Sequence, residues 1–100
     1  MILNNKNLWK KARKIIPGGN GLLSKRPERF LPDGWPTYFK KAKGIHIWDL
    51  NNKKFMDMTS MGIGTSVLGY NNTFINNFVK NKIDQGINTT LNCYEEYELA

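Results

Sequence analysis

A segment rich in Gly, Ser and Thr, residues 59–69, holds the residue types in this chain that are best suited to chemistry. Gly62, Gly64 and Gly69 lie there among hydroxyl side chains. Glycine lets a backbone bend sharply or approach a ligand closely, and free N–H groups in such a loop can bind an anion. The spacing does not fit the G-x-G-x-x-G dinucleotide motif, because the third glycine comes two positions late. Glycine loops are also common as plain turns, so the loop alone identifies no reaction.

Two carboxylates and one imidazole lie just before this loop. Asp49 and Asp57 could form a pair for general acid–base catalysis, or they could cap turns and pair with nearby lysines, which is the more common role. His46 is the only histidine, and its alternating surroundings are typical of a strand residue. With Cys93 as the only cysteine, no metal site and no disulfide framework are predicted. The residues alone therefore give no catalytic set.

The elements that must position these residues follow from local patterns. We expect a helix over residues 1–16, capped by Asn4 or Asn5, and an extended arm over 17–36 that four prolines keep free of regular structure. Antiparallel strands over 37–58 turn at Asn51-Asn52 and lead into the glycine loop, 59–70. Two helices are predicted within 71–100, the first starting at Asn72 or Thr73 and ending at Gly86. This order describes a small α+β segment.

The positions of the apolar residues predict which surfaces are buried against other parts of the protein. In the first helix we expect the apolar face to comprise Leu8, Ala12, Ile15 and Ile16, with Trp9 beside them. The arm carries too many large apolar side chains for a plain linker, so we expect it to lie across another domain or subunit; these residues are Leu22, Leu23, Phe30, Leu31 and Trp35.

Length and composition limit the possible classes. One hundred residues predict at most one small domain, and the 40% hydrophobic content is that of a globular protein. No stretch approaches the roughly 20 apolar residues of a membrane span, and a lone cysteine favours the reducing cytoplasm. The net charge of +7 is compatible with a small nucleic-acid-binding module. However, twelve of the fifteen basic residues are lysine, whereas base and phosphate recognition relies on arginine.

Several short motifs follow one another in a distinctive order. They are Ile16-Pro17-Gly18-Gly19 after a basic helix, Ser24-Lys25-Arg26 in the arm, Tyr38-Phe39-Lys40-Lys41-Ala42-Lys43-Gly44, Trp48-Asp49, Phe55-Met56-Asp57, Leu68-Gly69-Tyr70 after the glycine loop, and Glu98-Leu99-Ala100. This order resembles the N-terminal region of class III pyridoxal-phosphate-dependent aminotransferases, and among them the glutamate-1-semialdehyde aminomutase-like proteins. The resemblance extends over nearly the whole chain.

The resemblance implies a complete protein with the α/β fold of fold type I pyridoxal-phosphate-dependent transferases. It also implies a homodimer that acts on small amino or carbonyl compounds, with pyridoxal 5′-phosphate held by a lysine. That lysine and the phosphate-binding residues are expected beyond residue 100, so these residues include no catalytic group and are expected to be inactive alone. In this family the arm and the glycine loop lie on the substrate side of the site. The candidate residues there are Arg26, Lys25, Ser60, Met61 and Gly62.

The chain departs from the aminomutase pattern in its loop. Met61-Gly62-Ile63-Gly64 stands where those proteins usually have Trp-Gly-Pro, and Gly69-Tyr70-Asn71-Asn72-Thr73 stands where Gly-His-x-His-Pro is usual. Both departures favour a transaminase over an aminomutase. Two alternatives from other classes stay open at this point, a small basic nucleic-acid-binding module and a non-catalytic structural fragment.

Overall fold

The computed structural model describes residues 4–100. Helix α1 (Asn5–Ile15) is followed by two short 3-10 turns (Leu23–Lys25 and Pro27–Arg29), strands β1 (Phe39–Lys43), β2 (His46–Asp49) and β3 (Lys54–Met56), and helices α2 (Thr73–Gln85) and α3 (Glu95–Leu99). The predicted combination of helices with a small antiparallel sheet is confirmed. The chain forms two compact units, one ending at Tyr70 and one spanning Asn71–Ala100, where a single domain was expected. Within residues 4–100, no helix has the length and apolar character needed to cross a membrane.

Helix α1 begins where the sequence predicts, but its buried face differs in part. The Asn4 side chain caps the helix by accepting a hydrogen bond from the Asn7 N–H at 2.9 Å. The buried side chains are Asn5, Trp9 and Ala12, which lie one and two turns apart along one face. Of the predicted apolar residues, Ala12 and the adjacent Trp9 are buried and Leu8 is half-buried. The prediction is wrong for Ile15 and Ile16, which are 81% and 41% exposed.

The three strands form an antiparallel sheet in the order β1-β2-β3. Gly44, with φ of 58°, lies in the tight turn between β1 and β2, where Lys43 pairs with His46. The loop between β2 and β3 is one residue longer than the predicted two-residue turn, because the Asp49 N–H donates to the Lys53 carbonyl at 3.0 Å. Asn52 ends this loop with φ of 62°, as is common in three-residue hairpin loops.

The Asp49 carboxylate joins this hairpin to α1. Its Oδ1 accepts hydrogen bonds from the backbone N–H groups of Asn51 (2.9 Å) and Lys53 (2.8 Å), and its Oδ2 accepts one from Asn5 Nδ2 at 3.0 Å. The Asn5 Oδ1 in turn accepts from the Tyr38 N–H at 3.1 Å. Because Asp49 is only 4% exposed, these bonds satisfy a carboxylate that would be costly to bury alone.

The arm is more ordered than predicted, since it contains the two 3-10 turns. It is held against α1 by Trp9, whose Nε1 donates to Glu28 Oε1 at 3.1 Å, and by the fully buried Pro27. Phe30 and Trp35 stack with ring centroids 4.2 Å apart. Other apolar side chains of the arm still face solvent, as expected for a segment that needs cover; among them are Leu22, Leu23 and Leu31.

The second unit consists of α2 and α3. The Asn72 side chain caps α2 by accepting from the Ile75 N–H at 3.2 Å, and Gly86 ends the helix with φ of 98°. Lys82 donates to the Tyr94 hydroxyl at 2.6 Å and forms an ion pair with Glu95. These contacts connect the last turn of α2 to the start of α3.

Replacing Asp49 by Asn is expected to lower the free energy of unfolding by about 1–3 kcal/mol. The new amide NH₂ group would face the Asn5 NH₂ group, and turning Asn5 over would remove the acceptor of the Tyr38 N–H. The measurement is urea unfolding followed by circular dichroism. The control is Asp33→Asn, because the Asp33 side chain is 88% exposed and its ion pair contributes little. Equal effects of the two substitutions would contradict the role given to Asp49.

Candidate functional site

One carboxylate holds both ends of the glycine loop. Asp57 Oδ1 accepts hydrogen bonds from the backbone N–H of Thr59 (2.8 Å) and from its hydroxyl (2.6 Å). Asp57 Oδ2 accepts from the Tyr70 hydroxyl at 2.5 Å. These hydrogen bonds hold the pKa of Asp57 below its usual range, and the bond to Asp57 raises the pKa of Tyr70 to about 12. Asp57 therefore closes the loop as an anion that accepts hydrogen bonds.

A backbone bridge closes the loop a second time. Gly44 and Tyr70 exchange two hydrogen bonds of 2.9 Å between their N–H and carbonyl groups. Gly69, with φ of 86°, lies so close to this bridge that a Cβ atom there would come within 3.1 Å of the Gly44 Cα. Glycine is thus needed at residue 69 both for its backbone angle and for the space. The end of the β1–β2 turn and the end of the loop are held together.

The tip of the loop is a single left-handed turn. Met61, Gly62, Ile63 and Gly64 all have positive φ, at 45°, 72°, 61° and 78°, and the Gly64 N–H donates to the Ser60 carbonyl at 2.7 Å. A left-handed conformation costs a non-glycine residue roughly 1–2 kcal/mol, and it is least expected for a β-branched side chain such as Ile63. The turn leaves Ile63 87% exposed. The loop thus presents a strained apolar tip on a tightly closed base.

The arginine predicted to bind substrate lies in the arm, where one contact positions it. Arg26 follows the first 3-10 turn, and its guanidinium lies directly over Gly18, where a Cβ atom would come within 2.1 Å of Nη2. The Arg26 Nε is buried and has no hydrogen-bond partner in the described part of the chain. Lys25, by contrast, is exposed at the end of that turn. The arm therefore presents a half-buried guanidinium in the neighbourhood of the Glu28 carboxylate.

The structure separates several residues that the sequence left as possible partners. Asp49 and Asp57 each accept hydrogen bonds within their own turn, so they do not form a catalytic pair. His46 is a strand residue with its ring 6.1 Å from that of Trp48. Within residues 4–100, no hydrogen bond or ion pair connects Arg26 to the glycine loop, and no group of His, Cys, Asp or Glu has the geometry to hold a metal.

A groove of about 910 Å³ lies between α1, the arm and the β2–β3 loop. Trp9, Trp35 and Phe55 are among its lining residues, but none of the predicted substrate-side residues is. Sequence reasoning also missed the residues that organise the site: Asn5, Gly44 and Tyr70. The nearest sequence signals were the glycine that ends the first strand and the tyrosine directly after Gly69.

Two of the described lysines are held as cations by carboxylates. A lysine that forms an imine must give up its proton easily, which requires a lowered pKa. The pKa of Lys82 is instead raised, by the Glu95 carboxylate and the Tyr94 hydroxyl, so its ammonium form is stabilised. The groove beside Trp9 contains the cation of Lys6, but that cation is paired with Asp33 at 3.3 Å.

Comparisons with known proteins agree with the motif order. No protein-family model matches the chain. The chain is 34% identical over 91 residues to a glutamate-1-semialdehyde 2,1-aminomutase from Nitrosopumilus maritimus, covering 91% of the chain and 19% of that protein. It is also 34% identical over 65 residues to an aminopentol aminotransferase from Sphingopyxis macrogoltabida, covering 65% of the chain and 15% of that protein.

A solved structure shows the same similarity in three dimensions. The pyridoxal-phosphate internal aldimine form of the FumI protein from Sphingopyxis sp. MTA144 superposes with a TM-score of 0.79 at 30% identity, covering 97% of this chain and 23% of that protein. The chain therefore spans about a fifth of the length of the curated relatives it matches. The predicted resemblance to pyridoxal-phosphate-dependent aminotransferases and aminomutases is confirmed.

Replacing Asp57 by Asn is expected to lower the pKa of Tyr70 from about 12 toward 10.0, its ordinary value. The measurement is an NMR titration of chain labelled with ¹³C-tyrosine, with Asp33→Asn as the control that leaves Tyr70 unchanged. Because folding raises the Tyr70 pKa, the stabilisation is complete below pH 10 and is lost as the pH rises through 12. Folding lowers the Asp57 pKa, so its contribution is present above the ordinary value of 3.8 and is lost as the pH falls through the folded-state pKa. If the Tyr70 pKa were the same in the Asp57→Asn variant, the closure of the loop by the Asp57–Tyr70 hydrogen bond would be disproved.

Replacing Gly69 by Ala is expected to destabilise the first unit more than replacing Gly64 by Ala. Both glycines have positive φ, so both substitutions cost roughly 1–2 kcal/mol in backbone strain. Only at Gly69 does the new methyl group also meet the Gly44 backbone, since nothing lies within 4 Å of a Cβ at Gly64. Thermal unfolding of the two variants side by side measures the difference. Equal unfolding midpoints would show that the Gly44–Tyr70 bridge accommodates the methyl group.

Proposed function

We propose that this chain, which belongs by sequence and fold to the pyridoxal-phosphate-dependent aminotransferases and aminomutases, forms the N-terminal part of a class III enzyme of that group. The complete enzyme would move an amino group on or between small amino and carbonyl compounds. The observation that carries this proposal is the 34% identity over 91 residues to an aminomutase, together with the structural match at a TM-score of 0.79. A role as a nucleic-acid-binding module is not favoured, because no comparable similarity supports it.

The cofactor of the complete enzyme would be pyridoxal 5′-phosphate, which supplies an electron sink for chemistry at the substrate carbon. The resemblance to the family leads us to expect the cofactor-binding lysine and the phosphate-binding residues beyond residue 100. The part played by residues 1–100 is to bind and orient the substrate and to limit the access of water.

Arg26 is the proposed anchor for a substrate carboxylate. A guanidinium can bind a carboxylate with two parallel hydrogen bonds, which fixes both distance and orientation. The packing of Arg26 over Gly18 restricts its side chain, and the residue is half-buried. Lys25 is the second candidate, since it offers a charge at the next position but no planar pair of donors.

The glycine loop is the proposed wall on the substrate side. Ser60 offers a hydroxyl, and Met61 is a half-buried apolar side chain. Gly62 supplies a positive φ to the turn, and the Thr65 hydroxyl lies 2.7 Å from the position that a Cβ would take there. The closure of the loop by Asp57 and Tyr70 keeps this wall in place without any contact to the substrate. The absence of the usual Trp-Gly-Pro in this loop supports a transaminase with its own amino donor or acceptor, as opposed to an aminomutase.

A homodimer in the cytoplasm is the proposed setting. The arm leaves Leu22 49%, Leu23 53% and Phe30 52% exposed. Full burial of an exposed side chain of this size is worth roughly 1.5–3 kcal/mol, and covering the half that is still exposed is worth about half of that, so these residues favour a partner surface. A second subunit that covers the arm would also protect the Arg26 region from solvent.

A chimera tests the proposed function. In it, the chain replaces the matching segment of the aminomutase from Nitrosopumilus maritimus. We expect the chimera to bind pyridoxal phosphate and to catalyse amino transfer with a carboxylate substrate. Arg26→Ala should then raise KM by roughly 10–100-fold, the value of one charge-assisted hydrogen-bonded pair, with a smaller change in kcat. The KM of the Arg26→Lys variant should lie between that of the unmodified chimera and that of the Arg26→Ala variant.

The matched control is Arg29→Ala, which removes the same charge from an exposed position in the arm. It should change KM less than threefold. A folded chimera that fails to bind the cofactor would overturn the proposed function. A chimera that is active but equally affected by the Arg26 and Arg29 substitutions would overturn only the role of Arg26.

A further inference from the structure

One face of the three-stranded sheet carries a cluster of cations around a tryptophan. Lys41 pairs with Trp48 across β1 and β2, and Trp48 pairs with Lys54 across β2 and β3. Directly opposed residues share a face of the sheet, as do residues two apart on one strand. Lys43 and His46, which pair with each other, therefore lie on this face as well. We call these five residues the lysine face.

Contacts between side chains support this assignment. Lys41 Nζ lies 4.6 Å from the centroid of the Trp48 ring, and Lys54 Nζ lies 5.5 Å from it. The His46 and Trp48 ring centroids are 6.1 Å apart. Two ammonium groups thus share one aromatic ring, which holds the positive charges near each other in spite of their repulsion.

No carboxylate within the sheet segment neutralises these cations. Residues 37–70 contain two acidic side chains, Asp49 and Asp57, against five lysines. The Asp49 carboxylate accepts hydrogen bonds from Asn5 and the hairpin loop. The Asp57 carboxylate accepts hydrogen bonds from Thr59 and Tyr70. Lys41, Lys43 and Lys54 do not take part in the ion pairs of Lys6, Arg13 and Lys82. Within residues 4–100, the lysine face is therefore a charged surface whose lysines have no carboxylate partner.

The chemistry of the face favours carboxylates over nucleic acid. Phosphate and base recognition draws on the planar, bidentate guanidinium, and none of the three arginines lies between residues 37 and 70. A base would also need a free aromatic surface on which to stack, whereas two lysines already lie over Trp48. A second copy of this face is disfavoured as its partner, because the two faces would bring like charges together; the homodimer proposed above uses the apolar arm instead.

We propose that the lysine face is a docking surface for an acidic segment of another protein, whose aspartate and glutamate side chains pair with Lys41, Lys43 and Lys54. The pairing does not depend on amino transfer, and it adds a protein partner to the proposed enzyme. Charges of this kind act mainly on the rate and specificity of association and are weakened by salt.

The test uses the 100-residue chain and a fluorescein-labelled peptide of twelve residues rich in glutamate. Fluorescence anisotropy measures the dissociation constant at low and at physiological salt. The triple variant K41Q/K43Q/K54Q should bind about tenfold more weakly, the combined value of three exposed ion pairs. The matched control K10Q/K14Q/K80Q removes the same charge from exposed helix positions and should bind within twofold of the unmodified chain.

A second measurement does not depend on the folding of any variant. Amide chemical shifts of the ¹⁵N-labelled chain should move on addition of the peptide at residues 39–56 and remain in place on α1 and α2. Equal weakening by the two triple variants, or shifts spread over all lysines, would overturn the proposal in favour of nonspecific attraction. Tighter binding of a single-stranded DNA or of anionic phospholipid vesicles of equal charge would also overturn the assignment to an acidic protein segment.

Discussion

The first unit depends on one buried carboxylate and the amide that meets it. Asp49 accepts three hydrogen bonds, two from the hairpin loop and one from Asn5, and Asn5 uses its own oxygen to hold the backbone at Tyr38. The direction of every donor is set, because the carboxylate can only accept. Helix α1, the entry to β1 and the β2–β3 loop are thus fixed relative to one another by polar contacts. Among the described residues the apolar core of this unit is small, with Trp9, Ala12 and Pro27 as its buried apolar side chains.

The glycine loop repeats this principle at a more exposed place. Asp57 holds the two ends of the loop, and the Gly44–Tyr70 bridge ties them to the sheet. A closed base of this kind can support a tip in which Met61 and Ile63 adopt left-handed angles. Strain of that kind persists only where the surroundings impose it, and it is often found near functional sites. The loop therefore has the properties of a positioned wall, in accord with its proposed place beside a substrate.

Much of the remaining surface consists of exposed apolar side chains. In α2, Phe74 is 82% exposed and Phe78 is 54% exposed, although these side chains form the stripe that the helix would bury. In the arm, Leu22 and Leu23 are similarly open. The chain spans about a fifth of the length of the relatives it matches. Exposed apolar surfaces of this kind are typical of a segment that packs against another part of a protein. The lysine face differs from them, since its open groups are charged and need no burial.

The sequence by itself determined the type and order of the elements. Periodicity, caps and breakers are local properties, so the sequence limited the two caps to Asn4 or Asn5 and to Asn72 or Thr73, and predicted Gly86 as a helix end. The order of the motifs also sufficed to predict the family, whereas the proposed roles of Arg26 and of the residues in the loop remain predictions that await their experiments. The Asn51-Asn52 turn was placed correctly, but its length depended on the pairing of Asp49 with Lys53.

Only the tertiary structure decided which polar groups meet. Asn5 and Asp49 are 44 residues apart, and no local pattern predicts that an asparagine will occupy the buried face of α1 in place of Ile15. The same holds for Asp57, which was a possible catalytic acid until its bonds to Thr59 and Tyr70 assigned it to the closure of the loop. A carboxylate has the same chemistry in either role. What distinguishes the roles is the set of donors around it, and those donors are brought together by the fold.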